Sequence, residues 1–210
     1  MRISGSISFI LFLFFIIPPV IARGTVRNES RTDTIPKVEN NFGTSFEKGL
    51  YKAVLDISKH HLSGFMYLKR TSDSSYRIIF SSEVGMKYFD FEFRGKEFII
   101  QYCFPSLEKK SLLKLLENDF RVLLFPFQEL KRITLVAGTS DSTDFKIKAG
   151  HGKWIYRILN DTRRIIRMDS KGKLFGKTKV NVEYSDHSPS SIIIINPTIR
   201  LSLKMKLINP

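Results

Sequence analysis

From Leu50 onward the chain alternates short runs rich in Phe, Ile and Tyr with clusters of turn-forming residues. The first runs are Leu50 to Ser58, Leu62 to Lys69, Tyr76 to Ser81, Met86 to Phe93 and Glu97 to Cys103. His60-His61, Thr71-Ser72-Asp73-Ser74, Glu83-Val84-Gly85 and Arg94-Gly95-Lys96 separate them. Runs of that length, bounded that way, predict consecutive antiparallel strands joined by hairpins. Period-two alternation distinguishes the faces. In Met86 to Phe93, the rings of Phe89, Phe91 and Phe93 share one side, and Tyr88, Asp90 and Glu92 share the other, which predicts one buried and one wet face. Near the C-terminus Ile199, Leu201, Leu203, Met205 and Leu207 alternate with Arg200, Ser202, Lys204 and Lys206, the mark of a half-buried strand with a cationic outer face.

Between these blocks the period changes. In SLEKKSLLKLLENDFRVLL, beginning at Ser106, the apolar residues Leu107, Leu112, Leu115, Leu116, Phe120 and Leu123 recur at three- and four-residue steps. Lys109, Lys110, Lys114, Glu117 and Asp119 fill the remaining positions, so the spacing predicts an amphipathic helix with Ser106 as its cap after Pro105. Pro126 ends it. Further strands are predicted over Arg132 to Ala137, Asp144 to Ala149, Lys153 to Leu159, Arg163 to Met168, Lys177 to Tyr184, Ser191 to Ile195 and Thr198 to Ile208. No repeat of fixed period is present. The expected fold is mainly β (α+β): a curled antiparallel sheet or incomplete β-barrel around one amphipathic helix, which satisfies every apolar face at once.

The N-terminus follows another logic. Arg2 precedes the run Ile7 to Ile17, apolar but for Ser8, and Pro18-Pro19 and a Val20-Ile21-Ala22 step follow. This predicts a signal peptide over 1–22, cleaved between Ala22 and Arg23, and hence an exported protein of the periplasm, the outer-membrane periphery or the medium. The run is short of the roughly 20 residues that span a bilayer. A lipoprotein signal would place Cys at the cleavage point; the one cysteine, Cys103, lies far from it and reads as a small buried hydrophobe. Residues 23–45 are polar and aperiodic, a flexible tether, and 46–210 form a single domain held by packing, since one cysteine allows no disulfide framework. The formal charge of +14, less Arg2, leaves +13 on the cleaved chain. Such a balance attracts polyanions. No nucleic-acid-binding pattern is present, so anionic lipid head groups and surface polymers are the expected counterparts.

Motifs that carry chemistry are absent. There is no G-x-S-x-G, P-loop or dinucleotide fingerprint, and the carboxylates are dispersed. Asp90 with Glu92 is the nearest thing to a carboxylate pair, and alternation on a strand accounts for both. His60 and His61 point to opposite faces without a third ligand, and His151 and His187 sit in turns. The reading is of a non-enzymatic protein without catalytic residues, metal or cofactor.

The pattern SGxxxxKRxxDSSYRxxFxxExGxKxFDFEF, here Ser63-Gly64, Lys69-Arg70, Asp73 to Arg77, Phe80, Glu83, Gly85, Lys87 and Phe89 to Phe93, with the helix that follows, resembles a family of envelope proteins from Bacteroidota. That family is similar to the periplasmic lipoprotein carriers and outer-membrane lipoprotein receptors of the Lol system. Its members commonly carry a signal-end Cys, from which this chain departs. The resemblance implies an incomplete barrel whose concave apolar face, plugged by a helix, receives acyl chains. The expected cavity-lining residues are Phe65, Phe80, Phe89, Phe91, Phe93 and Leu201 on strands, and Leu112, Leu115, Leu116 and Phe120 on the helix. The expected partners are acyl chains or lipoproteins, with Arg200, Lys204 and Lys206 meeting anionic membrane and no role for nucleic acid. The alternative is an envelope scaffold or adhesion protein with a packed core and a basic, polyanion-binding surface. A groove beneath the helix separates the two.

Overall fold

Apolar alternation organises the described residues of the computed structural model, 30–31, 38, 40–43, 45–150, 152–172, 176–186 and 188–209, into a single antiparallel sheet. The expected signal peptide with Ala22 and Arg23, much of the expected tether, and His151 and His187 lie outside these residues. The strands are β1 (Ser30–Arg31), β2 (Lys48–Ile57), β3 (His60–Ser72), β4 (Ser75–Ser81), β5 (Lys87–Arg94), β6 (Glu97–Cys103), β7 (Arg132–Gly138), β8 (Ser142–Ala149), β9 (Gly152–Leu159), β10 (Ile165–Gly172), β11 (Gly176–Ser185), β12 (Ser188–Asn196) and β13 (Leu201–Asn209). Helix α1 (Lys110–Leu124) follows a 3-10 turn over Pro105–Leu107.

The strand order is β1-β7-β8-β9-β10-β11-β12-β13-β2-β3-β4-β5-β6. The chain therefore meanders outward from β2 to the β6 edge, crosses by α1 to the opposite edge, and meanders back until β13 pairs with β2. The sheet is curled and unclosed. Register rungs fix its faces. Ile192, Met205 and Ala53 stand opposite one another across β12, β13 and β2, and Met66, Phe80 and Phe89 do so across β3, β4 and β5. All of these side chains are buried, whereas Lys52, Lys204 and Lys206 on the alternate positions are exposed. Each apolar side chain so buried contributes about 1.5–3 kcal/mol of transfer free energy.

Bends in the ladder shape the curl. Register shifts fall between Phe80 and Ser81 and between Asp90 and Phe91, where a bulged strand twists more strongly. Gly64 allows the closest approach: its φ is 154°, and a Cβ there would stand 2.0 Å from the Ser81 carbonyl oxygen. This is the physical reason for glycine in the Ser63-Gly64 step.

Three local expectations are corrected. His60 and His61 open β3 rather than forming the turn before it; Ser58, with φ 56°, turns the chain and its N–H donates to the Arg200 carbonyl at 3.2 Å. Ser106 lies inside the 3-10 turn and caps nothing, because α1 starts from an extended Lys109 without any side-chain cap. The domain also begins before residue 46. Ser30 and Arg31 pair with Leu135 and Thr134, and Asn41 and Phe42 are buried, Phe42 stacking obliquely on Phe46 at 4.6 Å.

Candidate functional site: the concave face under the helix

The concave face is mainly apolar, its buried Thr178 and Asn196 bonding each other at 3.0 Å, and α1 lies against it with Leu112, Leu115, Leu116, Phe120 and Leu123 buried. Nine of the ten expected lining residues meet there: Phe80, Phe89, Phe91, Phe93, Leu112, Leu115, Leu116, Phe120 and Leu201 are all buried. Their contacts are close. Phe89 and Phe91 stack at 4.3 Å, and Phe120 of the helix meets Phe89 at 6.2 Å and Phe93 at 6.3 Å edge-on. Phe65 is the exception. It stands opposite Lys52 and Ser81 on the convex side, because Met66 and Leu68 take the inward positions of β3, so it cannot face the helix.

Asp119 departs most sharply from expectation. The helical pattern places it among the polar positions, yet it is 1 % exposed, and neither carboxylate oxygen has a well-formed hydrogen bond. Burial pushes its carboxyl up to about 7, against a weaker pull from the adjacent Asn118. A signal for this existed: Leu112, Leu116, Asp119 and Leu123 are spaced as one helical stripe, and the acid sits in its middle.

The polar contacts that seat α1 gather at its C-terminal end. Buried Asn41 donates from Nδ2 to the Leu123 carbonyl at 2.7 Å and accepts from the Tyr184 hydroxyl at 3.1 Å. Arg121 donates to Glu117 at 3.0 Å and to the Gly95 carbonyl at 2.9 Å, and also to the carbonyl of Lys96. The Lys96 ammonium pairs with the Glu129 carboxylate beyond the helix. Arg121 thus joins α1 to the β5-β6 hairpin, and Lys96 joins that hairpin to the segment leading into β7, beside an open cleft of about 380 Å³ lined in part by Lys114, Glu117 and Gln128. The Glu117-to-Arg121 step, four residues apart, is legible in sequence; the hairpin carbonyls and Asn41 are not.

Several charged residues of the sequence pattern pair with one another. Arg77 forks onto Asp90 with both bonds at 2.9 Å, and Lys87 adds a third at 3.0 Å. Arg70 meets Asp73 at 3.0 Å. The wet face expected around Asp90 is corrected, since Asp90 is 1 % exposed beneath those two cations, and Tyr88 is buried as well. Burial raises the Asp90 carboxyl, but the hydrogen bonds from Arg77 and Lys87 outweigh it and hold the group below the usual carboxylate range. This is a satisfied structural pair and no acid-base dyad. Cys103 is half-buried and packs against the core, and burial pushes its thiol up to about 11, away from the nucleophilic thiolate.

Among the described residues no group of three or more His, Cys, Asp or Glu is placed to hold a metal ion, and no helix is long and apolar enough to cross a membrane. Lys204 and Lys206 project from the exposed side of β13, and Arg200 occupies the turn before it with φ 52°. A second cavity, of about 390 Å³, opens on the convex side of β8 to β11 and touches none of the ten expected lining residues.

No protein-family model matches the sequence, and no curated protein does. Solved structures resemble the fold. A LolA superfamily protein from Nitrosomonas europaea superposes with a TM-score of 0.50 at 11% identity, covering 78% of this chain and 86% of that one. A DUF1329 family protein from Desulfovibrio piger gives a TM-score of 0.42 at 10% identity over 79% of this chain and 85% of its own. A provisionally named outer membrane lipoprotein-sorting protein domain from Vibrio parahaemolyticus gives 0.42 at 8% identity over 77% of this chain and 83% of its own. The unclosed, curled sheet with its single helix is therefore similar in fold to that LolA superfamily protein from Nitrosomonas europaea.

Proposed function

We propose that this chain is an exported, non-enzymatic protein of the bacterial cell envelope that binds lipid or lipoprotein acyl chains beneath α1. One observation carries the reading: a mainly apolar concave face is left open by the sheet and covered by a single amphipathic helix, which buries an unsatisfied carboxyl in order to close. An element seated at such a cost is easier to displace than one whose polar groups are all paired. An entering acyl chain would gain about 0.8 kcal/mol for each CH₂ removed from water, so a half-inserted chain of about eight methylenes gains about 6 kcal/mol, on the order of what two or three leucines of α1 contribute. The shared fold with a LolA superfamily protein supports this at the level of architecture alone. Lys204, Lys206 and Arg200 would face anionic membrane during delivery.

The close packing of Phe89, Phe91, Phe93 and Phe120 favours a second reading, an envelope scaffold or adhesion protein with a filled core and a basic polyanion-binding surface. Native mass spectrometry of protein purified from its own envelope, followed by lipid extraction, separates the two. An acyl-bearing adduct, or uptake of a fluorescent fatty acid by the delipidated protein, is expected. A bare mass together with no uptake would overturn the carrier reading and leave the scaffold.

A further inference from the structure

We propose that the convex cavity across β8 to β11 is a binding site for the head group of an anionic phospholipid at a membrane surface. Four cationic side chains, Lys146, Lys153, Arg167 and Lys177, line it against the single carboxylate of Asp169. Arg167 is held in place by that acid, through bonds of 2.7 and 3.3 Å, so a guanidinium is fixed in the wall before any ligand arrives. Ile155 stands opposite both Lys146 and Asp169 and is 40% exposed, an aliphatic patch ringed by charge.

The register around the cavity is costly without a counter-ion. Arg157 stands directly opposite Arg167, and Lys148 directly opposite Lys153. Like charges placed directly across a ladder destabilise a sheet. The arginines are each relieved by an acid, Arg157 by Asp144 at 2.8 Å and Arg167 by Asp169. A phosphate in the cavity would meet Lys153, easing its opposition to Lys148 on the neighbouring strand, and would be held by charge-assisted hydrogen bonds.

The aliphatic floor selects the occupant. A single-stranded nucleic acid would call for exposed aromatic rings on which bases stack, and the one aromatic residue beside this cavity, Trp154, is buried on the concave side of β9. A soluble polyanion would leave Ile155 uncompensated. A phospholipid answers both features, its phosphate meeting the cations and its glycerol region lying over Ile155. Farther along the same face Ile195, 37% exposed and opposite Lys179, repeats the combination. The site is separate from the concave face, so it stands whether or not acyl chains enter beneath α1.

The test uses the full chain and vesicle flotation with phosphatidylcholine vesicles, with and without phosphatidylglycerol. Binding should require phosphatidylglycerol. The double reversal Lys153→Glu with Lys177→Glu should weaken it by at least about tenfold, since basic residues at an anionic surface contribute about 1 kcal/mol each. Lys153→Arg with Lys177→Arg should retain it. The control Lys48→Glu with Lys69→Glu reverses an exposed cross-strand pair elsewhere by the same charge and should change binding far less. Equal loss in both reversals would reduce the effect to net charge and overturn the site, as would unchanged binding in the first. Loss of heparin binding without loss of vesicle binding would reassign the cavity to a soluble polyanion. Fatty-acid uptake should be the same in all these variants; its absence from every one would refute the carrier reading while leaving the vesicle result to decide this one.

Discussion

Replacing Asp119 with Asn should remove a pH dependence of stability that no other described carboxyl is placed to produce so strongly. The carboxyl is buried in the middle of the apolar stripe of α1, and its oxygens have no partners. Its ordinary value of 3.8 rises to about 7 in the folded protein. Between those values the folded state holds a proton that the unfolded state has released, so stability falls as pH rises through about 4 to 7 and levels off above. The slope is about 1.4 kcal/mol per pH unit, and the whole effect is on the order of 4 kcal/mol. Asn keeps the size and cannot ionise. Wild type and Asp119→Asn should therefore have similar stability near pH 4 and diverge up to about pH 7, with the variant the more stable by a constant margin at pH 8. Urea unfolding at pH 4, 5, 6, 7 and 8, read as the difference between the two proteins, isolates this carboxyl from every other titrating group. Parallel curves would show that Asp119 is hydrated or partnered and refute the argument. Asp119→Leu goes further by removing the unsatisfied acceptor, and should stabilise the protein by about 1–3 kcal/mol even at pH 5.

Gly64→Ala should destabilise strongly or prevent folding, because its Cβ would collide with the backbone of Ser81 at 2.0 Å rather than with a movable side chain; circular dichroism and a melting curve check this. Leu115→Asp with Leu116→Asp should cost several kcal/mol or abolish fatty-acid uptake, since each change places a charge against the apolar sheet; unchanged melting temperature and uptake would contradict the seating of α1. N-terminal sequencing and intact mass of the native protein should read from Arg23 without acyl mass, and a detergent-extracted chain beginning at Met1 would make residues 3–22 an anchor.

The strands were legible because each apolar run is short and closed by turn residues, and every strand from β2 to β13 falls on an expected run. Which way a strand faces was harder. In β3 two apolar sets alternate, Phe65 with Tyr67 and Met66 with Leu68, so its own pattern cannot choose between them. Pairing chooses: Met66 aligns with Phe80 and Tyr51, and Phe65 with Lys52. Asp90 looked wet for a related reason, since its cover comes from Arg77 on the neighbouring strand and Lys87 three residues back, and the fork exists only once the register is set. Asp119 was misplaced by the assumption that a charge on an amphipathic helix faces water. Spacing alone put it inside.

The same reasoning gives α1 a direction of movement. Its N-terminal end carries Lys109 and Lys110 against the positive end of the helix dipole, has no side-chain cap, and leaves Leu112 slightly exposed. Its C-terminal end carries Arg121 with the dipole, and Asn41, the Gly95 carbonyl and the Tyr156 hydroxyl on the Pro126 carbonyl hold it to the sheet. Asp119 lies between them, and ionisation above pH 7 pushes hardest at the point where the helix is least able to bring a partner in. With the C-terminal end clamped, opening of α1 is expected to start at the N-terminal end and uncover Leu112, Leu115 and Leu116 before Phe120, and amide exchange faster at Leu112 and Leu113 than at Leu123 and Leu124 would check it. Those leucines face the concave side of the sheet, so the part of the apolar face exposed first is the part that needs the least of α1 to be displaced.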